Sequence, residues 1–166
     1  NEPEATRASS GFAINLISNS LDNLIGGSAD LTGSTNTLIK NSENFSKSTP
    51  NGKNIKFGVR EHGMGGVMNG ISAYGSHRVF GGTFLVFSDY MRASIRLSAL
   101  SKLNSIWIFT HDSIGLGEDG PTHQPISQLM SLRSIPNLNV FRPADRRETL
   151  FSWRHALNEI DKPSAL

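Results

Sequence analysis

The chain has 166 residues, 37% of them hydrophobic and 18% charged, which fits one soluble globular domain and is too apolar for disorder. A domain of this length buries roughly 70% of the surface that its unfolded chain exposes. The absence of cysteine excludes disulfides and thiolate zinc sites. A net charge of +2, with 16 Lys and Arg residues scattered and no basic run, argues against a nucleic-acid-binding face. No apolar stretch approaches the roughly 18 residues that a membrane-crossing helix needs.

The N-terminal Asn1-Glu2-Pro3-Glu4 has no signal-peptide pattern and no methionine, and Lys162 to Leu166 reads as the opening of a strand. The expectation is a piece of a longer chain. Apolar residues at near-helical spacing predict a helix from Ala5 to Leu21. A short strand at Leu24-Ile25 runs into a small-residue turn from Gly26 to Ser34. Thr35 to Lys53 is rich in Ser and Asn and is expected to form a long, mobile loop.

Asn54 to Phe57 predicts a strand, and at Arg60 the pattern changes to a helix running from Glu61 to about Tyr74. Glu61 falls in that helix's first turn, where the positive dipole end and unpaired N–H groups favour a carboxylate. Gly63, Gly65, Gly66 and Gly70 follow within ten residues, each costing up to about 1 kcal/mol against alanine inside a helix. Such a cost points to something that closely approaches the helix backbone, or to tight packing of the helix on its own sheet.

Arg78-Val79-Phe80 predicts a third strand, broken by Gly81-Gly82, and Thr83 to Leu103 a helix. On that helix Phe84, Phe87 and Tyr90 would form one aromatic stripe, either ordinary core or a pocket wall. Ser105 to Thr110 is β-branched and aromatic without polar alternation, the pattern of a strand covered on both faces. A glycine-rich loop extends through His111 to Pro125, followed by a short helix at Ile126–Arg133. A fifth strand is predicted at Leu138–Phe141, and Asp145 caps a helix running to about Asn158. Alternating strands and helices predict an α/β fold, a doubly wound and mostly parallel sheet with helices on both faces. Ligands in such folds sit at the carboxyl ends of strands, where Asp30 to Ser34, Arg60-Glu61, Gly81 to Phe84, His111 to His123 and Arg142 all fall.

The loop from Thr110 to Pro125 carries two histidines and three acids. His111, Asp112, Asp119 and His123 could be read as a divalent-metal site, but no established ligand spacing is present. The loop could instead supply a polar wall for the hydroxyls and phosphate of a sugar. For Asp112 and Glu118 the favoured reading is solvated acids that cap the next helix.

Gly26-Gly27-Ser28-Ala29-Asp30-Leu31-Thr32, Arg60-Glu61-His62, Gly82-Thr83-Phe84 to Tyr90, and the block from His111 to Pro125 resemble the central pyrimidine-binding domain of transketolase. Ala5-Thr6-Arg7 and Arg142-Pro143-Ala144-Asp145 fit the same family, so the resemblance spans nearly all of residues 1–166, expected to be a single domain. Transketolases move a two-carbon ketol unit between sugar phosphates on thiamine diphosphate. The resemblance implies that Glu61 meets N1′ of the cofactor's aminopyrimidine, where a buried carboxylate of raised pKa suits the sharing of a proton. It implies that Phe84, Phe87 and Tyr90 surround the pyrimidine ring, with Phe87 stacked on it, and that Asp30 stands near the cationic thiazolium. It assigns Arg7, Ser34, His111 and Arg142 to the substrate phosphate, and Asp119 and His123 to the hydroxyls near the reacting carbon–carbon bond. Catalytic roles thereby fall to Glu61 and His123. His62, His77 and His155 have no match and are read as surface or packing residues.

Two features depart from the family pattern. The polar Asn36–Lys53 loop does not align, and the Gly-Asp-Gly…Asn motif that holds Mg2+ on the cofactor's diphosphate is missing. In the family that motif lies in a preceding domain, and each active site forms between two subunits. The resemblance therefore implies a homodimeric, cytoplasmic enzyme of the pentose phosphate pathway, with the other domains of its own chain as partners. It also implies that this portion alone is inactive. Dihydroxyacetone synthase, a related ketol transferase, and a non-catalytic module of the same fold are the competing readings.

Overall fold

The computed structural model describes residues 4–166. Helix α1 (Thr6–Ser18) leads into β1 (Leu24–Ser28), the short turn of helix α2 (Thr32–Thr35), β2 (Asn54–Lys56) and α3 (Glu61–Tyr74). After β3 (Arg78–Phe84) come α4 (Ser88–Leu100), β4 (Ile106–Thr110), α5 (Gln128–Arg133), β5 (Asn139–Val140), α6 (Arg146–Asn158) and β6 (Ser164–Ala165). The six strands form one parallel sheet in the order β2-β1-β3-β4-β6-β5. Among the described residues no helix is long and apolar enough to cross a membrane.

Each face of the sheet carries its own core, as a parallel sheet with both faces covered requires. On one face Met64 and Met68 of α3, Met91 and Ile95 of α4 and Leu132 of α5 pack with Val79 and Trp107. On the other, Ile14 of α1 and Trp153 and Ala156 of α6 pack with Leu24, Phe80, Ile106 and Ile108. Phe80 meets Trp153 edge-on at 6.2 Å, and the Trp153 indole donates to Ser10 Oγ at 2.9 Å, fastening α6 to α1. Asp145 caps α6 as its sequence suggests, accepting from Glu148 N at 2.8 Å.

Several local expectations need correction. Gly81 and Gly82 do not break β3, which pairs with β1 and β4 through both of them. A side chain at Gly81 would come within 2.3 Å of Met68 Sδ, so this glycine is what lets α3 settle onto the sheet. The predicted helix from Thr83 starts only at Ser88: Thr83 and Phe84 belong to β3, and Leu85–Phe87 form a 3-10 turn. Strand pairing with Phe109 and Thr110 overrides the helical periodicity there, and the spacing of the aromatics fits a 3-10 turn as well.

The Asn36–Lys53 loop is fastened, not mobile. Buried Thr37 and Ile39 turn inward, and the Asn54 side chain accepts from Ile39 N (2.9 Å) while donating to the carbonyls of Ile39 (2.9 Å) and Ser42 (2.8 Å). Asn15 of α1 holds the same loop from the other side, donating to Leu38 O and accepting from Lys40 N. The α3 glycines divide by face. A side chain at Gly65 would meet Ser94 Cβ at 2.4 Å, so Gly65 allows α3 to lie against α4, whereas Gly66 and Gly70 face open space.

Candidate functional site

The elements deliver their polar residues to the carboxyl edge of the sheet. Asp30 follows β1 and Glu61 opens α3 after β2. Phe84 ends β3, His111 follows β4, Arg142 follows β5, and Arg7 lies in the first turn of α1. Around Phe84 the edge is already assembled. Its ring stacks on His111 with centroids 3.8 Å apart and on Phe87 at 5.8 Å. His123 stands edge-on to both Phe84 (5.9 Å) and Phe87 (5.3 Å), and Phe87 continues to Tyr90 at 5.9 Å. The three aromatics thus gather as expected, though from a strand end, a 3-10 turn and a helix start instead of one helical stripe. Phe84 is buried and Phe87 half-buried, while Tyr90 is 67% exposed, so the outer rings keep apolar surface free.

Beside this cluster lies a cavity of about 400 Å³, with Arg7, His111, Asp112 and Arg142 among its polar lining and Leu85 and Leu132 among its apolar lining. Arg7 Nη1 is 3.1 Å from His111 Nε2, and Thr110 Oγ1 is 2.8 Å from His111 Nδ1. Burial first, then the Arg7 and His123 charges, lower the pKa of His111 below its ordinary value, against opposing pulls from Asp119 and Asp112. The His111 backbone is left-handed, with φ at +55°, a conformation histidine enters more readily than most residues. Arg142 donates from Nε to Asp112 Oδ2 at 2.8 Å and is near Asp112 O. Asp112 is therefore no helix cap, because an arginine 30 positions along the chain claims it.

Four expected site residues stand apart from these contacts. Asp30, Ser34, Glu61 and Asp119 make no side-chain hydrogen bond or ion pair among the described residues. Ser34, on α2, is exposed and lies outside the cavity lining. Glu61 was expected to be buried away from water; it is only half-buried, and no described residue bonds or pairs with its side chain. His62 is an exposed residue whose Nδ1 lies 2.7 Å from Ser94 Oγ. Among the described residues, no group of three or more His, Asp or Glu side chains could hold a metal ion. Sequence reasoning missed Thr110 and the partnership of Asp112. The position of Thr110 at the end of a buried strand, one residue before a site histidine, was the available signal for the first. Nothing local signals the second.

Residues 2–166 match the family model described as "Transketolase, pyrimidine binding domain". The chain is 56% identical over 162 residues to a transketolase of Geobacillus stearothermophilus, a match covering 98% of this chain and 24% of that protein. It is similar to the solved transketolase of Leishmania mexicana (46% identity, TM-score 0.95, 98% of this chain and 24% of that one). It is equally similar to a Pichia stipitis transketolase described in complex with sedoheptulose-7-phosphate (45% identity, TM-score 0.97, 100% of this chain and 25% of that one). The chain thus spans about a quarter of the length of the relatives it matches.

Proposed function

The chain belongs to the transketolase pyrimidine-binding domain family, and from that premise we propose that it serves a thiamine diphosphate-dependent enzyme that transfers a two-carbon ketol unit between sugar phosphates. The observation that carries this reading is the meeting, at one sheet edge, of an open aromatic cluster and an arginine-lined cavity. The donor set suits the cofactor's pyrimidine end: half-free aromatic faces at Phe87 and Tyr90, and a Glu61 carboxylate that no described residue occupies. When bound, thiamine diphosphate supplies the electron sink for breaking and forming the bond beside the ketol carbonyl.

The protein's own residues then have separable tasks. Phe87 offers its ring face for stacking, with Phe84 as its backing. Glu61 holds a shared proton at the pyrimidine nitrogen N1′, and Asp30 places negative charge near the thiazolium. Arg7, Arg142 and His111 form the phosphate end, where guanidinium forks match phosphate oxygens. Ser34 is assigned to the same end. Asp119 and His123 take the hydroxyls near the reacting bond, and the edge-on contacts of His123 with Phe84 and Phe87 support a position for it beside the aromatic cluster.

Mg2+ and the cofactor's diphosphate are assigned to residues outside this chain, and Glu61 to cover supplied by a second subunit. The open Gly66–Gly70 face of α3, with Val67 48% and Tyr74 85% exposed, supports a homodimer packed there. One continuous sheet with two cores supports reading residues 4–166 as one domain; residues 1–3 of the expected 1–166 span lie outside the described residues. A place in the pentose phosphate pathway and in the cytoplasm is part of the same proposal.

Glu61→Ala in the full-length parent protein tests the reading. Ketol transfer from xylulose 5-phosphate to ribose 5-phosphate should fall by roughly 10²–10⁴-fold, the usual scale for losing a positioned proton-transfer group, with the fold retained. Unchanged turnover would exclude this role. Residues 1–166 alone should show none of this activity, and measurable turnover by them would contradict the shared-site proposal.

A further inference from the structure

The contacts of His111 fix where its ring proton sits. A guanidinium has donors and no acceptor, so Arg7 Nη1, 3.1 Å away, requires Nε2 to accept. The single proton of the neutral ring then resides on Nδ1 and is donated to Thr110 Oγ1 at 2.8 Å. Thr110 is only 7% exposed and closes β4 opposite Phe84, whose own ring covers His111 at 3.8 Å. The ring is thus held by a hydroxyl at one nitrogen, a cation at the other and an aromatic face. The charged or titratable groups acting on it are Arg7 from α1, Asp112, Asp119 and His123 from its own loop, and, through Asp112, Arg142 after β5.

We propose that Thr110 is a positioning residue of the phosphate end: it holds the single ring proton of His111 on Nδ1 and so leaves a bare Nε2 toward Arg7, until an anion engages Arg7 and His111 takes up a proton at Nε2. The step moves one proton from solvent to Nε2. The hydrogen bond donated by Arg7 N–H shifts from Nε2 to an anion oxygen, and the new Nε2–H donates to the same anion. No other bond changes. The Nδ1–H bond to Thr110 serves both states, so the ring need not turn. The lowered pKa of His111 agrees with the resting state. This inference rests on the phosphate-end reading and adds a proton count to it.

Sulfate is a suitable probe because its charge is constant between pH 6 and 8. Binding of sulfate to the full-length parent protein would be followed by calorimetry in buffers of different ionisation enthalpy. A proton uptake approaching one per sulfate is expected on the alkaline side of the His111 titration. His111→Gln should abolish that uptake. Thr110→Val should reduce it markedly, since the ring can then hold its proton on Nε2 beforehand, and should weaken sulfate binding roughly fivefold, the scale of one hydrogen bond. Thr110→Ser should restore both; near-UV circular dichroism checks that each variant folds. Sulfate that competes with sugar phosphate yet binds without proton uptake, or wild-type uptake in folded Thr110→Val, overturns the inference and leaves the phosphate-end reading standing. Sulfate that binds without competing, or fails to bind, removes both.

Discussion

Residues 36–53 and residues 111–125 are both long polar connections, yet the structure treats them in opposite ways. The first turns Thr37 and Ile39 into the interior and is closed by three hydrogen bonds of one side chain, Asn54. The second presents Ser113, Glu118, Asp119 and Thr122 to solvent and meets the body through His111 and His123 on the aromatic cluster and through the Asp112–Arg142 pair. Polar composition therefore says little about how firmly a loop is held. What decides is whether an inward side chain satisfies the loop's backbone groups. The first loop contributes stability, and the second offers groups that remain available to a ligand.

Substitutions can break this contrast, beginning with the largest effect. Asn54→Ala leaves Ile39 N–H and the carbonyls of Ile39 and Ser42 without their partner, and should cost about 3–5 kcal/mol in urea unfolding. Ile39→Ala, at a side chain 1% exposed, should cost about 3 kcal/mol by the same measurement. A loss below about 0.5 kcal/mol in both would mean that the loop is not clamped. Asp119→Ala in the second loop should leave unfolding within about 0.5 kcal/mol of wild type. The same change should reduce the turnover of the parent protein roughly tenfold or more, the scale of a hydrogen bond to a charged group. A stability loss without an activity loss would reverse the roles of the two loops.

The smallest expected effect concerns pH. The folded state holds the His111 pKa below the ordinary histidine value, so below about pH 6.5 the unfolded chain binds more protons at this residue than the folded one. Stability from this group is complete above that pH and declines as pH falls toward the folded-state pKa. Urea midpoints at pH 7.5 and 5.5 should therefore differ less in His111→Gln than in wild type. An equal difference would show that His111 is not held neutral.

Much of the fold was legible because its local signals agreed: the unalternated run Ile106–Phe109 is a buried strand, and Asp145 caps its helix. The boundary at Thr83 was misread because aromatics three apart suit both a helix and a 3-10 turn, and only the pairing with β4 decides between them. The candidate site residues were legible by type and by position at strand ends, and the resemblance supplied the roles proposed for them. Contacts between distant positions were not. The Arg142–Asp112 pair crosses 30 residues and the Arg7–His111 contact 104. The partial exposure of Glu61 was not legible either, because burial depends on contacts between distant segments.

The sheet order carries a consequence for folding. Among the described residues β5 pairs with β6 alone, and β6, which follows it in the chain, slots between β5 and β4. Until Ser164 and Leu166 have donated to the carbonyls of Ser105 and Trp107, the segment bearing Arg142 has no strand to join. A partly folded state in which β6 has not docked would leave the apolar β4 edge open and β5 undocked, so the arginine side of the cavity forms only once β6 is in place.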